Sequence, residues 1–314
     1  MPGSVIVITG PTATGKTALG VQLCLAVGGE VVSADSMQVY RGMDIGTAKA
    51  VAEEMCGVAH HMLDICTPYE AFSVSRWTQM AAQCVEDIFS RGKTPVVVGG
   101  TGLYIDSLLS GRSFASSPED HALREELYAQ YDRMGGEKFR ELLAEFDPQR
   151  AAILASEDRR RLVRAVEVYR LTGETITQHD EKTRALPPRW PSLRYALSFR
   201  ERDTLYARID ARVDKMRALG LTDEVRRILA GGNFSADSTA MQAIGYKEVV
   251  SYLNGDITED EAYDGIKRSS RRYAKRQLTW LRRDAGLRWL LWDGEPDISR
   301  ALGEIIDEKE CRNA

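Results

Sequence analysis

The fold is set by eight residues near the start of the chain, Gly10-Pro11-Thr12-Ala13-Thr14-Gly15-Lys16-Thr17. They follow the apolar run Val5–Ile8, and the apolar residues after them recur at helical spacing. Glycines at these positions let backbone N–H groups turn inward around an anion, and the lysine adds a point charge. The helix that follows points its positive end at the same oxygens. The stretch therefore predicts a loop that binds a polyphosphate, although kinases, NTPases and non-hydrolytic transferases all share such loops.

The composition is that of an ordinary globular protein of 314 residues, 43% hydrophobic and 28% charged. No apolar run approaches the roughly 20 residues of a membrane span, and the first strand begins too close to Met1 for a signal peptide. Five cysteines without a CxxC pair indicate reduced, structural thiols. We therefore expect a cytoplasmic protein, monomeric and without a membrane partner, in which the adjacent His60 and His61 are structural.

Positive charge is concentrated near the end of the chain. The segment Lys267–Arg288 contains nine basic residues and one acid, Asp284, so its net charge is +8 while the whole chain carries −4. Lys267, Arg271, Lys275 and Arg282 share one predicted helix face, opposite an apolar face that contains Tyr273 and Trp280. A solvated helix face is one explanation, but such faces usually mix both signs of charge. The pattern favours binding of a polyanion.

Short β-rich runs predict a parallel, doubly wound sheet, because helical patterns separate the first three of them. These runs are Val5–Thr9, Glu30–Ser33, Thr94–Gly99, Arg194–Phe199 and Arg288–Trp292. Functional groups in such sheets gather at the carboxyl ends of the strands. One site could therefore draw on the phosphate-binding loop and on the three segments that follow the next strands, namely 34–36, 100–102 and Arg200–Asp203.

A charged, helix-rich segment interrupts this pattern between Gly111 and about Pro191, bounded by Ser116-Ser117-Pro118 and Pro187-Pro188. Its predicted helices are Pro118–Met134, Gly136–Phe146 and Asp158–Thr172. We predict an α/β core formed by residues 1–111 and 191–314, with a helical insertion domain at 112–190.

Three charged residues near the predicted site have more than one interpretation. Asp35 follows the second strand, where a carboxylate can orient a metal or water in a kinase, act as a general base in a transferase, or cap a helix. Arg208 and Arg212 lie four residues apart along the edge of an apolar helical stripe. They could clamp a phosphate opposite Lys16, or they could be surface arginines with buried stems.

Six motifs together resemble the tRNA dimethylallyltransferases, also called tRNA isopentenyltransferases, in their short bacterial form. The resemblance covers nearly the whole chain. The motifs are GPTATGKT at 10–17, SADSMQVYRGMDIGTAK at 33–49, HHMLD at 60–64, VGGTGLY at 98–104, AIGYKE at 243–248 and AKRQLTWLR at 274–282.

This resemblance implies a P-loop NTPase-like parallel sheet flanked by helices. It also implies transfer of a dimethylallyl group from dimethylallyl diphosphate to N6 of the adenosine that is 3′-adjacent to the anticodon, with release of diphosphate. Asp35 matches the family's base and Thr101 its residue at the breaking bond, while Lys16 and Arg208 would neutralise the leaving group. Thr17 would hold the Mg²⁺ cofactor. The diphosphate-binding residues would be Gly10, Thr12, Ala13, Thr14, Gly15, Lys16 and Thr17.

The second implied substrate is the anticodon stem-loop of tRNA, with its target adenine flipped out of the base stack. The residues implied in tRNA binding are Asp35, Ser36, Met37, Gln38, Thr101, Arg160, Arg161, Arg164, Lys275, Arg276 and Arg282. Three rival functions share some of these features: an isopentenyltransferase acting on free adenine nucleotides, an ATP-dependent small-molecule kinase, and an RNA-binding module without catalysis.

Overall fold

The computed structural model of the chain describes residues 3–111, 120–184, 186–232 and 239–313. The chain divides into two compact units, of which one comprises Met1–Leu109 and Trp190–Ala314 and the other Ser110–Arg189. The first unit contains the phosphate-binding loop, and the second contains the charged, helix-rich segment. The predicted boundary at Ser116-Ser117-Pro118 and the start of the helix predicted from Pro118 lie outside the described residues.

The first unit begins with β1 (Val5–Thr9), α1 (Lys16–Val27), β2 (Gly29–Ser33), α2 (Ala52–Met55), β3 (His60–His61), α3 (Val74–Ser90), β4 (Thr94–Val98) and α4 (Gly102–Leu109). The second unit contains α5 (His121–Met134), α6 (Gly136–Ala144), α7 (Pro148–Ile153), α8 (Arg159–Thr172) and α9 (Ile176–Arg184). The first unit then resumes with β5 (Ser192–Phe199), α10 (Arg202–Ala218), α11 (Leu221–Ala230), α12 (Tyr246–Leu253), α13 (Glu259–Leu281), β6 (Arg288–Trp292) and α14 (Ile298–Asn313).

Six strands of the described residues form one sheet in the order β3-β2-β4-β1-β5-β6, and every neighbouring pair is parallel. The predicted α/β fold, a P-loop NTPase-like parallel sheet flanked by helices, is thereby confirmed. Five strands lie where the sequence predicts them, whereas the two-residue edge strand β3 was not predicted. Because all six strands run in the same direction, their carboxyl ends meet at one edge of the sheet.

Successive residues of the central strands face opposite sides of the sheet, and both sides are covered by helices. Val5 and Val7 of β1 pack in one core cluster with side chains of α3, α4, α11 and α12. Ile6 and Ile8 pack in a second cluster with side chains of α1, α10 and α14. Strands buried on both faces read as continuous apolar runs, which explains the sequence of β1. Among the described residues, no helix combines the length and the apolar composition needed to cross a bilayer.

The helical unit has an apolar core of its own, which includes Leu127, Phe139, Leu143 and Leu162. A carboxylate, Glu167, is fully buried next to this core. Its oxygens accept hydrogen bonds from Arg124 Nε at 2.8 Å and Arg164 Nη1 at 2.7 Å. The two guanidinium groups compensate the loss of water around the carboxylate, so removal of either would leave a poorly paired buried charge.

Candidate active site

The phosphate-binding loop joins β1 to α1, and its shape is fixed by a glycine at Gly10 and by side-chain hydrogen bonds to its carbonyl groups. Gly10 has φ 140°, and a Cβ atom there would lie 2.3 Å from the Leu197 carbonyl oxygen of β5, so that the position requires glycine. Thr14 Oγ1 donates a hydrogen bond to the Pro11 carbonyl at 2.9 Å, and Trp292 Nε1 donates one to the Thr14 carbonyl at 3.1 Å. These contacts fix the conformation of the loop, and the first turn of α1 lies at its end.

A cavity of about 1210 Å³ opens at this edge of the sheet. It is lined by residues of the phosphate-binding loop, of the segments after β2 and β4, of α10 and of α13. Three of the four strand ends singled out in the sequence therefore contribute. The fourth segment, Arg200–Asp203, is not among the lining residues, and Arg200 instead pairs with Asp293 at 2.8 Å. Arg208 and Arg212, two and three turns into α10, line the cavity in its place.

The segments after β2 and β4 are bound to each other through Thr101. Its backbone N–H donates to the Ala34 carbonyl at 3.1 Å, and its Oγ1 accepts from the Ser36 N–H at 3.1 Å. The carboxylate of Asp35 accepts a hydrogen bond from the Met37 N–H at 2.9 Å. Asp35 thus caps a turn and not a helix, since no helix of the described residues begins at Ser36. These contacts bring Asp35 and Thr101, both predicted site residues, to one place.

Three cations surround the phosphate-binding loop. Lys16 Nζ donates to the Pro11 carbonyl at 2.7 Å, Arg208 Nε donates to the Ala13 carbonyl at 3.3 Å, and Arg212 Nη2 donates to the Thr47 carbonyl at 3.1 Å. Burial, and next the charge of Arg212, lower the pKa of Lys16 to about 7, and Asp35 opposes this shift. Burial also lowers the pKa of Arg212. Such crowding of positive charge favours binding of an anion.

Arg208 also contacts groups outside the loop. Its Nη1 pairs with Glu295 at 2.5 Å, and its guanidinium lies 5.5 Å from the centre of the Phe199 ring. Arg208 and Arg212 are both half-buried and both line the cavity, which favours the interpretation of a phosphate clamp over that of two surface arginines.

Helix α13 holds the site from the opposite side through residues that sequence reasoning did not assign to it. Gln277 Oε1 accepts from the Thr12 N–H at 3.2 Å, and its Nε2 donates to the Gly100 carbonyl at 2.9 Å. A Cβ atom at Gly102 would lie 2.4 Å from the Trp280 indole. Burial, and next the charge of Asp35, raise the pKa of the Tyr273 phenol to about 12, while hydrogen bonding with Thr101 and Gln277 opposes the shift. One face of α13 thus links two strand-end loops.

The basic residues on the other face of α13 are not all available to an anionic partner, because some of them already form ion pairs. Lys267 pairs with Asp214 at 2.6 Å, Arg271 pairs with Asp210 at 2.5 Å, and Arg288 beyond the helix pairs with Glu308 at 2.6 Å. Lys267 and Arg271 of the predicted basic face are therefore paired with acids of α10, which neutralise part of the positive charge counted in the sequence. Within the part of the chain that the structure describes, no salt bridge reaches the exposed side chains of Lys275, Arg276 and Arg282.

In the helical unit, the three arginines predicted to bind tRNA have different surroundings on α8. Arg160 is exposed, and the Arg161 side chain is 75% exposed although it lies 3.2 Å from Asp158. Arg164, in contrast, is half-buried and donates to the buried Glu167. Arg160 and Arg161 are accessible to a partner, whereas Arg164 also stabilises its own unit.

Oxygen ligands for a divalent cation are few at the site. Within the described ranges, no three His, Cys, Asp or Glu side chains come together to hold a metal ion. His60 Nδ1 lies 2.9 Å from the Val58 carbonyl and His61 Nε2 lies 2.7 Å from Glu30, so both histidines contact groups within the fold. Thr17 has an exposed side chain on the cavity wall. Its hydroxyl is an oxygen donor of the kind that Mg²⁺ accepts as a ligand.

Comparison with known proteins agrees with this geometry. The family described as "IPP transferase" matches residues 38–284, and that described as "Isopentenyl transferase" matches residues 3–68. The chain is 44% identical to the tRNA dimethylallyltransferase of Carboxydothermus hydrogenoformans over 313 residues, covering 100% of this chain and 99% of that one. It is 46% identical to the tRNA dimethylallyltransferase of an Exiguobacterium species, covering 98% of this chain and 96% of that one.

Solved structures give the same result. The full-length tRNA isopentenylpyrophosphate transferase from Bacillus halodurans superposes with a TM-score of 0.73 at 40% identity, covering 99% of this chain and 98% of that one. A eukaryotic dimethylallyltransferase acting on tRNA superposes with a TM-score of 0.82 at 27% identity, covering 98% of this chain and 80% of that one. The resemblance seen in the six motifs is confirmed, and the chain belongs to the IPP transferase family.

Proposed function

We propose that the protein is a tRNA dimethylallyltransferase, which transfers a dimethylallyl group from dimethylallyl diphosphate to N6 of the adenosine 3′-adjacent to the anticodon. The observation that carries this proposal is the cavity that the phosphate-binding loop and Asp35 line together, with Thr101 hydrogen-bonded to Ser36 of the cavity wall. Relatives covering the full chain at 44% and 46% identity are named tRNA dimethylallyltransferases, which supports the same function.

The donor's diphosphate would occupy the phosphate-binding loop, which uses its N–H groups together with Lys16, Arg208 and Arg212. In the reaction, the bond between the dimethylallyl carbon and the diphosphate oxygen breaks, and its electron pair leaves with the diphosphate. Negative charge therefore grows on the diphosphate oxygens in the transition state, and preorganised cations and N–H groups stabilise it there. Thr101, hydrogen-bonded between the two strand-end segments, would contact the diphosphate near the breaking bond.

The acceptor is a poor nucleophile, because the lone pair of the adenine amine is delocalised into the ring. A base must therefore remove a proton from N6 as the new carbon–nitrogen bond forms. Asp35 would take this proton, since its carboxylate is half-buried at the cavity beside Thr101. Ser36, Met37 and Gln38 line the same wall and would contact an adenine that has left its base stack.

A Mg²⁺ ion would be held by Thr17 together with diphosphate oxygens. When bound, it would add positive charge beside the leaving group. The protein side chains described above bind the donor, orient the acceptor and move the proton.

The RNA would approach along the exposed basic residues of α13. Lys275 and Arg276 share this helix with Gln277, which joins the phosphate-binding loop to Gly100. A polyanion bound to these side chains would therefore lie next to the catalytic loops. We assign Lys275, Arg276 and Arg282 of the core, and Arg160, Arg161 and Arg164 of the helical unit, to phosphates of the anticodon stem-loop. Neither a free-nucleotide enzyme nor a small-molecule kinase requires such a surface.

The test is a competition between acceptors. The protein is incubated with labelled dimethylallyl diphosphate and Mg²⁺, and with an unmodified anticodon stem-loop, with AMP, or with a stem-loop whose target adenosine is replaced by purine riboside. We expect label in the unmodified stem-loop alone. Label in AMP with unreacted RNA would instead establish a free-nucleotide enzyme, and phosphate transfer from ATP in a parallel incubation would establish a kinase.

A further inference from the structure

A buried carboxylate, Glu224, lies on the apolar face of α11 and is only 2% exposed. Its Oε2 accepts hydrogen bonds from the N–H groups of Asp44 at 3.0 Å and Ile45 at 2.8 Å. Its Oε1 accepts from the Gly46 N–H at 3.2 Å and from the Tyr246 hydroxyl at 2.6 Å. One carboxylate thus binds three consecutive backbone N–H groups, in bonds that its charge strengthens.

These three residues open a turn that we call the 44–49 turn, comprising residues 44–49. Within it, the Lys49 N–H donates to the Asp44 carbonyl at 2.9 Å, and the Ala48 N–H donates to the Ile45 carbonyl at 3.0 Å. A Cβ atom at Gly46 would lie 2.4 Å from the Tyr246 ring. The turn therefore has one closely fixed position against α11 and α12, and all of its residues line the cavity.

The carbonyl of Thr47 transmits this position to the site. It accepts hydrogen bonds from Gln38 Nε2 at 3.3 Å and from Arg212 Nη2 at 3.1 Å. Gln38 is further oriented by Ser33 Oγ, which donates to its Oε1 at 3.2 Å. Arg212 is the cation whose charge helps to lower the pKa of Lys16. A displacement of this carbonyl would therefore change the orientation of both Gln38, which lies on the proposed adenine side, and Arg212, which lies on the proposed diphosphate side.

We propose that Glu224 is a positioning residue for prenyl transfer, because it fixes the 44–49 turn and, through the Thr47 carbonyl, orients Gln38 and Arg212. The proposal rests on the proposed function. Glu224 contacts the turn and Tyr246 and has no contact with the cavity in the described structure, so its effect is exerted through the turn. Displacements of about 1 Å at a reacting centre can slow a reaction by up to about 100-fold.

Two variants separate this role from simple support of the fold. Glu224→Gln keeps the size of the side chain but replaces one carboxylate oxygen by an NH₂ group. This group must then face either the N–H groups of Asp44 and Ile45 or the donors of Gly46 and Tyr246, and it cannot accept a hydrogen bond from them. Tyr246→Phe removes one hydrogen bond from the same carboxylate and leaves all three bonds to the turn. We expect both variants to lose thermal stability, whereas only Glu224→Gln should slow the single-turnover rate at saturating substrates, by at least about tenfold.

A double-mutant cycle shows whether the effect passes through the two oriented side chains. In a Gln38→Ala, Arg212→Ala background, Glu224→Gln should slow the single-turnover rate by less than about twofold, because the groups that it positions are absent. An equal loss in both backgrounds would overturn the proposal, and so would an unchanged rate in the otherwise wild-type protein.

Amide hydrogen exchange on the wild-type protein tests the first step without any variant or substrate. The N–H groups of Asp44, Ile45 and Gly46 should exchange at least about 100-fold more slowly than unstructured amides. Rapid exchange would overturn the proposal even if Glu224→Gln did not fold. A wild-type protein that shows this protection but does not modify the stem-loop would refute the proposed function and leave the anchoring of the turn intact.

Discussion

The pKa of Lys16 makes donor binding depend on pH in a window where an ordinary lysine would not titrate. With burial and Arg212 lowering this pKa to about 7, Lys16 changes its charge near neutral pH instead of near pH 10. A bound diphosphate stabilises the ammonium, so the pKa of Lys16 is higher in the complex than in the free protein. Binding therefore takes up part of a proton near pH 7, and this uptake grows as the pH rises above 7.

The sign of the effect follows from this uptake. Below about pH 6 the lysine is charged in both states, and its titration does not change the affinity. Above pH 7 the free protein must first gain a proton, so the dissociation constant should rise by nearly tenfold for each pH unit. The phosphate's own last proton leaves near pH 6, and the range from about pH 7.5 to 9 therefore reports on the lysine.

Titration calorimetry in buffers of different ionisation enthalpy measures both the proton uptake and the dissociation constant. The ligand is dimethylallyl diphosphate, with a purine-substituted stem-loop present so that no transfer occurs. Arg212→Ala serves as a control: without the neighbouring cation the pKa of Lys16 is higher, and the rise in the dissociation constant should begin at higher pH. A dissociation constant that stays within about twofold between pH 7.5 and 9, with no proton uptake, would show that the pKa of Lys16 is not lowered in the free protein.

Three further predictions concern the proposed roles. Asp35→Asn should abolish single-turnover transfer and leave stem-loop affinity unchanged, because it removes the base and keeps the side-chain volume; an unchanged rate would contradict the assignment. Thr101→Ala and Arg208→Ala should each slow the chemical step by at least about tenfold, because charge grows on the leaving group. A normal rate at saturation would show that the altered residue serves binding alone. Replacing Lys275 and Arg282 together by alanine should weaken stem-loop binding and reduce its salt slope by roughly one unit per lost contact, whereas an identical slope would show that this face only meets solvent.

Local sequence patterns were sufficient for most of the fold. The apolar runs of β1 and β4 are buried on both faces of a parallel sheet, and this burial is what makes them recognisable. The edge strand β3 consists of His60 and His61, which are polar and half-buried, so no alternation or apolar run identifies it. It owes its strand geometry to pairing with β2.

The sequence indicates those residues of the cavity that belong to a motif directly after a strand. It does not indicate the residues whose contacts join segments that are distant along the chain. Glu224 and Gln277 both lie among apolar residues on one face of a helix, and a polar residue at such a position was the signal available. Their partners are 178 and 265 residues away along the chain, however, and only the fold identifies them. The acids that pair with Lys267 and Arg271 also belong to another helix, α10, so that the sequence alone does not identify these ion pairs.

The proposed function requires that a dimethylallyl group moves from diphosphate to one exocyclic amine of tRNA. The most direct test digests the stem-loop to nucleosides after reaction with dimethylallyl diphosphate and identifies the product by mass spectrometry, with released diphosphate measured in parallel. We predict N6-dimethylallyladenosine at the position 3′-adjacent to the anticodon, with one diphosphate released for each modified nucleoside. Diphosphate release without prenylated RNA, or a prenyl group on another atom or nucleoside, would show that the protein does not catalyse this transfer.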